Sequence, residues 1–151
     1  MIIRLQTFVE QDLPMVWNGF DQSLLKALTP PFPKVKVLRY DGNLTGDIVS
    51  FELNVFGFKQ KWTSLITDHQ ETHDRCYFID EGTELPFFLK TWRHVHGLNR
   101  SQSGTIIDDF IEFTTPYFWL DYLVYPVLWA QFAYRKPIYR TYFQLKPGVA
   151  E

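Results

Sequence analysis

The chain has 151 residues, the length of one domain, and carries 15 basic against 17 acidic side chains for a net charge of -2, so a nucleic-acid partner is not expected. A single cysteine, Cys76, excludes an intramolecular disulfide and a cysteine-built zinc site. The aromatic share of 18% is high, and rigid rings with one polar edge suit either a tightly filled core or the wall of a wide cavity.

Residues 2–9 alternate apolar and polar side chains and predict a first strand. The same segment lacks the long apolar core of a signal peptide, which places the protein in the cytoplasm. Asp12 is a fitting N-cap, with Pro14 in the first helical turn. Leu13, Val16, Trp17 and Phe20 recur at helical spacing, and Leu24, Leu25 and Leu28 continue a second short helix. Thr29-Pro30-Pro31-Phe32-Pro33 fits neither helix nor central strand. From Val35 the pattern becomes strand and turn: 35–40, 48–56, 59–69, 75–81, 87–98 and 105–113, separated by short polar or glycine-bearing turns. Such connections predict antiparallel neighbours. Cys76, within the fourth of these runs, reads as a buried, inert thiol.

After Pro116 the chain is helical in composition to about Leu145, with Phe118, Tyr122, Tyr125, Trp129 and Phe132 expected on one face. Pro126 and Pro137 are expected to start, kink or end helical segments. Asp121, Gln131 and the mid-segment Pro126 argue against a membrane-spanning helix, so no stable membrane insertion is expected. Leu120, Leu123, Val124, Val127 and Leu128 need other cover, from the short helices and strand ends, from a second copy in a homodimer or from a transient membrane surface.

The order is therefore strand, two short helices, six strands and a long helix, all in one domain over 1–151. Six consecutive antiparallel strands must bury one face, and the long helix is the element available to cover it. The predicted class is α+β: a curved antiparallel sheet of about seven strands around a C-terminal helix, with the first strand closing one edge.

The chemistry concentrates on Trp92-Arg93-His94-Val95-His96 and on Asp109. Alternation puts Trp92, His94, His96 and Leu98 on one strand face, and Ile107, Asp109, Ile111 and Phe113 on the apolar face of the next. With Leu98 paired to Thr105 across the turn, His94 falls directly opposite Asp109. Three roles fit the histidines: pocket-lining groups hydrogen-bonded to Asp109, Tyr77 or backbone; a general acid or base whose tautomer Asp109 sets; or metal ligands. The spacing of His94 and His96 suits a metal, but no carboxylate stands at a matching offset, and His69 and His73 fall near a turn. No metal and no cofactor are expected. A nucleophile elbow and a phosphate-binding loop are both missing.

Leu28-Thr29-Pro30-Pro31 after two short helices, Trp62 and Ile66, Phe78-Ile79-Asp80, the Trp92–His96 and Asp109–Phe113 hairpin and Phe132-Ala133-Tyr134-Arg135 follow one another in an order that resembles the SRPBCC family of START-like, polyketide cyclase/dehydrase-like domains, in its cell-division-inhibitor-like subgroup. The resemblance covers nearly the whole chain. It implies a helix-grip fold with a hydrophobic cavity, and it does not imply one activity, because related domains bind lipids, hormones or polyketides and some catalyse cyclisation or dehydration. The resulting expectation is a cavity between sheet and helix that holds a small hydrophobic molecule against Trp62, Tyr77, Trp92, His94, His96, Asp109, Phe118, Tyr122 and Trp129. The alternatives are a cyclase or dehydratase using His94 or His96 as acid or base, and an interaction domain with a vestigial cavity.

Overall fold

The computed structural model describes residues 1–145, so the end of the 1–151 unit lies outside the described residues. In chain order the elements are β1 (Ile2–Val9), α1 (Leu13–Asn18), α2 (Gln22–Ala27), β2 (Lys34–Tyr40), β3 (Ile48–Val55), β4 (Phe58–Glu71), β5 (Arg75–Glu84), β6 (Thr91–Ser101), β7 (Gly104–Thr114) and α3 (Phe118–Leu145). The strands form one seven-stranded sheet in the order β1-β7-β6-β5-β4-β3-β2. Every neighbouring pair is antiparallel. The sheet curls into a half-barrel around the long C-terminal helix, and register shifts in β2 and β4 sharpen its bend.

Local chemistry explains the joints. The Met15 N–H donates to the Asp12 carboxylate at 3.1 Å and the Leu24 N–H to Asp21 at 2.9 Å, so each short helix has a side-chain cap. Phe56 and Gly57 both have positive φ, the pattern of a two-residue hairpin turn, and the Gly57 N–H donates to Asn54 at 2.8 Å. β6 begins four residues later than the hydrophobic run suggests. Pro86 accepts from the Leu89 N–H at 2.9 Å, and this turn consumes Phe87 and Phe88 before the ladder resumes at Thr91, opposite Thr114.

Two expectations need correction here. Pro126 and Pro137 lie inside α3, which runs through both as one helix. Each proline removes an intrahelical bond, but neither starts nor ends a segment, and Leu128, Phe132, Tyr139 and Phe143 are buried on one side of the continuous helix. The β6–β7 register also differs. Both strands run on through Ser101 and Gly104 to a two-residue turn, so Leu98 pairs with Ile107 rather than Thr105. The shift is two residues, an even number, so every side chain keeps its predicted face.

The interior has two apolar centres. One gathers Val16, Leu24, Phe78, Leu98, Ile107 and Phe143 under the short helices and the end of α3. The other gathers Ile3, Leu89, Trp92, Ile111, Phe113 and Phe132 under the middle of α3. On the inward face of β6 and β7, the residues between Leu98 and Trp92 and between Ile107 and Ile111 are His96, His94 and Asp109. The polar groups thus sit at the seam between the two apolar centres.

Candidate functional site

Asp80 on β5 stands opposite His94 on β6, and His96 stands opposite Asp109 on β7. Each imidazole reaches the carboxylate diagonal to it rather than the one directly across. His94 Nε2 lies 2.9 Å from Asp109 Oδ1, and His96 Nε2 lies 2.8 Å from Asp80 Oδ2. The longer cross contacts, His94 Nδ1 to Asp80 Oδ2 at 3.5 Å and His96 Nδ1 to Asp109 Oδ1 at 3.9 Å, close the four groups into a ring. The imidazole centroids are 3.6 Å apart. Phe78 stacks on His96 at 4.2 Å, and the edge of Phe132 meets His94 at 5.1 Å. The Trp92 indole N–H donates to the second oxygen of Asp80 at 3.0 Å.

Burial sets the electrostatics. Desolvation pushes both carboxyls upward, but the His96 hydrogen bond, the charges of the two histidines and the Ser64 hydroxyl bring Asp80 below the usual carboxylate range. Asp109 is likewise raised by burial and lowered more strongly by the His94 hydrogen bond, the histidine charges and Arg135. His96 falls to about 4, first because it is buried and then because His94 stands beside it; Asp80 and Asp109 only partly offset this. An ionised carboxylate can only accept, so His94 donates through Nε2 to Asp109 and His96 donates through Nε2 to Asp80. His96 Nδ1 is then a buried lone pair with no hydrogen-bond partner among the described residues.

Three of the four groups open onto a cavity of about 790 Å³ between the sheet and α3, which Asp80, His94 and His96 line together with Trp62, Trp92 and Phe78. Apolar side chains of β3 and α3 make much of the remaining wall, with Phe51, Leu53, Val124 and Leu128 among them, and Arg135 adds a cation near Asp109. Trp62 and Trp92 meet edge to face at 4.6 Å.

The structure thus brings together Trp62, Trp92, His94 and His96 as expected at the wall, with Asp109 buried directly behind His94. It does not bring in the other four. Tyr77 lies on the outer face of β5, where its hydroxyl donates to Asp68 at 2.9 Å. Phe118, Tyr122 and Trp129 stand on the outer side of α3 at 80%, 69% and 46% exposure. The helix turns the stripe of Leu128, Phe132, Tyr139 and Phe143 inward and leaves those other rings outside. His94 reaches Asp109 diagonally, not from the directly opposed position expected. Asp80, Phe78 and Ser64 are site residues that the sequence reading did not select. Strict alternation from buried Cys76 would have placed Phe78 and Asp80 inward and Tyr77 outward.

No family model matches the chain, and no curated protein does either. Solved structures do. The ZhuI aromatase/cyclase from Streptomyces sp. R1128 superposes with a TM-score of 0.72 at 13% identity, over 95% of this chain and 93% of that one. Norcoclaurine synthase from Thalictrum flavum, solved in complex with dopamine and hydroxybenzaldehyde, gives 0.70 at 13% identity over 98% and 88%. A nucleoside-diphosphate sugar epimerase from Corynebacterium glutamicum gives 0.68 at 24% identity over 91% of this chain but only 28% of its own. The chain therefore has the helix-grip fold that these solved structures share. Among the described residues no helix is long and apolar enough to cross a membrane.

Proposed function

We propose that the protein binds a small hydrophobic molecule, a lipid, aromatic or polyketide-like compound, in the cavity between the sheet and α3. The observation that carries this reading is the cavity itself: about 790 Å³, walled mainly by aromatic and aliphatic side chains, with the cluster of Asp80, His94 and His96 on its wall and a few further polar groups such as Asn43, Gln131 and Arg135. That volume and that sparse polarity match small-molecule sites, in which a few fixed polar groups orient a largely apolar ligand. Neighbours of the same fold include an aromatase/cyclase and an enzyme solved with two aromatic compounds, which supports an aromatic or polyketide-like occupant. Native mass spectrometry of freshly purified protein is expected to show a co-purified apolar molecule, and thermal-shift screening against lipid and aromatic libraries is expected to stabilise the fold. If both return nothing, the reading fails.

A second reading is acid–base catalysis of the cyclase or dehydratase type, favoured by one specific feature. Two histidines at the cavity wall each carry an ionised carboxylate on one ring nitrogen, the arrangement that fixes a tautomer and supports a charged imidazole during proton transfer. An enolisable carbonyl compound would be the substrate class. Asp109→Asn would then reduce turnover far more than ligand affinity, whereas in a pure binder affinity and stability fall together. The interaction-domain alternative rests on the exposed rings of α3; a stoichiometric dimer without ligand in the same mass spectrum would favour it.

A further inference from the structure

We propose that Asp80, His94 and His96 form a binding site for one divalent transition-metal ion, with Asp109 as the anchor behind both imidazoles. The donor atoms of these three residues all lie within 4.8 Å of one another. Asp80 Oδ2 is 2.8 Å from His96 Nε2 and 3.5 Å from His94 Nδ1. Donors bound to one ion at about 2.0–2.1 Å stand roughly 3–4 Å apart, so small side-chain rotations seat an ion among them. The set of two imidazoles and one carboxylate suits first-row ions such as zinc, iron or cobalt, and it leaves coordination positions open. Those positions face the cavity, since all three residues line it.

The hydrogen bonding around the ring supplies a second, independent argument. A metal-binding histidine donates its other ring N–H to a carboxylate, which fixes the tautomer and makes the ligand nitrogen more basic. His94 already does so: Nε2 is held by Asp109 at 2.9 Å, which leaves Nδ1 turned to Asp80. Without an ion, His96 spends its N–H on Asp80, and its buried Nδ1 has no partner among the described residues. Protonating His94 Nδ1 would relieve the 3.5 Å contact with Asp80 but would leave that orphan unchanged. An ion on His96 Nε2 moves the ring proton to Nδ1, which then faces Asp109 Oδ1 from 3.9 Å. A small rotation of the His96 ring then closes that gap so that both imidazoles donate to the same carboxylate, and one ion accounts for every nitrogen of the pair. The remaining Asp80 oxygen is already held by the Trp92 indole. The inference does not require an organic ligand in the cavity.

The test uses untagged full-length protein, stripped with chelator and titrated with Co²⁺. Saturable one-to-one uptake with visible ligand-field bands is expected, and Zn²⁺ should displace the Co²⁺ and bleach those bands. Asp109→Asn should weaken Co²⁺ binding about 10–100-fold, and His96→Gln should abolish the bands while circular dichroism remains native. Should His96→Gln fail to fold, the double variant His69→Ala/His73→Ala decides the location. It removes the other two of the four histidines and must keep full binding. No saturable uptake by the wild-type chain, bands that survive in folded His96→Gln, or bands lost in the His69/His73 variant would overturn the proposal. None of these results bears on whether an apolar molecule co-purifies.

Discussion

The neutral, buried state of His96 should make this protein lose stability on mild acidification, well before its carboxylates titrate. The ring has an ordinary pKa of about 6.5 in an unfolded chain, and in the fold it falls to about 4. A base whose folded pKa is depressed contributes full stability above the unfolded value. That contribution is lost as pH falls toward the folded value, because the unfolded chain takes up the proton first. Integrated between about pH 7.5 and 4.5, the two values give a loss of about 2–3 kcal/mol, a large part of a typical domain's margin. Asp80 and Asp109 act in a separate window. Their depressed pKa values add stability above the unfolded carboxylate range, and that stability disappears only at lower pH, so it leaves the measured interval nearly untouched. The assay is urea unfolding of chelator-treated protein across this range, beside His96→Gln, whose amide keeps a donor for Asp80. The wild-type curve should fall relative to the variant by about 2–3 kcal/mol. Parallel curves would refute the argument, because they would mean that His96 binds its proton equally well in both states.

Three further outcomes follow from particular contacts. Gly104→Ala places a methyl group against the Val9 carbonyl and the backbone of Glu10, so the melting temperature should fall by the equivalent of about 1–3 kcal/mol; an unchanged melt would mean that the β1–β7 edge gives way freely. Leu53→Trp adds an indole at the cavity wall, and it should leave the fold near wild-type stability while co-purified ligand disappears from native mass spectra; retention of ligand would place the binding site elsewhere. Phe118→Ser and Trp129→Ser alter rings on the outer side of α3, so ligand occupancy should stay at the wild-type level, and a drop would show that the site extends across the helix.

The fold was readable in the sequence because its strands alternate cleanly and its turns carry their own chemistry. Asp12 and Pro14 mark the first helix start, and Gly57 marks the β3–β4 turn. The site was harder to read, for three physical reasons. The partners of β6 depend on where the β6–β7 turn closes, and a polar run from Asn99 to Gly104 accepts more than one closure. The face assignment survived only because the register moved by an even number of residues, two. Asp80 comes from a different hairpin, 14 residues before His94, and no local pattern ties the two; only the β5–β6 pairing does. The face of α3 was misjudged because its apolar residues spread around the helix. Choosing the aromatic rings selects a stripe about 60° away from the one formed by Leu128, Phe132, Tyr139 and Phe143, counting 3.6 residues per turn. Which stripe faces inward is decided by the concave surface it meets, and that surface exists only once the sheet has curled.

The ring of two aspartates and two histidines is also the part of the interior that folding least requires. Apolar side chains at these four positions would join the two core clusters into one, and replacing buried ion pairs by well-packed apolar groups is commonly neutral or stabilising. The groups instead sit where the low dielectric strengthens every charge interaction, at the wall of a cavity rather than deep within either cluster. An apolar molecule entering that cavity displaces water from His94, His96 and Asp80 and desolvates them further. Desolvation disfavours the imidazolium, so occupancy and protonation of His96 oppose each other. Ligand affinity must therefore decline as the pH approaches the range in which His96 takes up its proton. A metal ion on the same nitrogen would remove that dependence, because the site would then exchange a cation rather than a proton with the solvent.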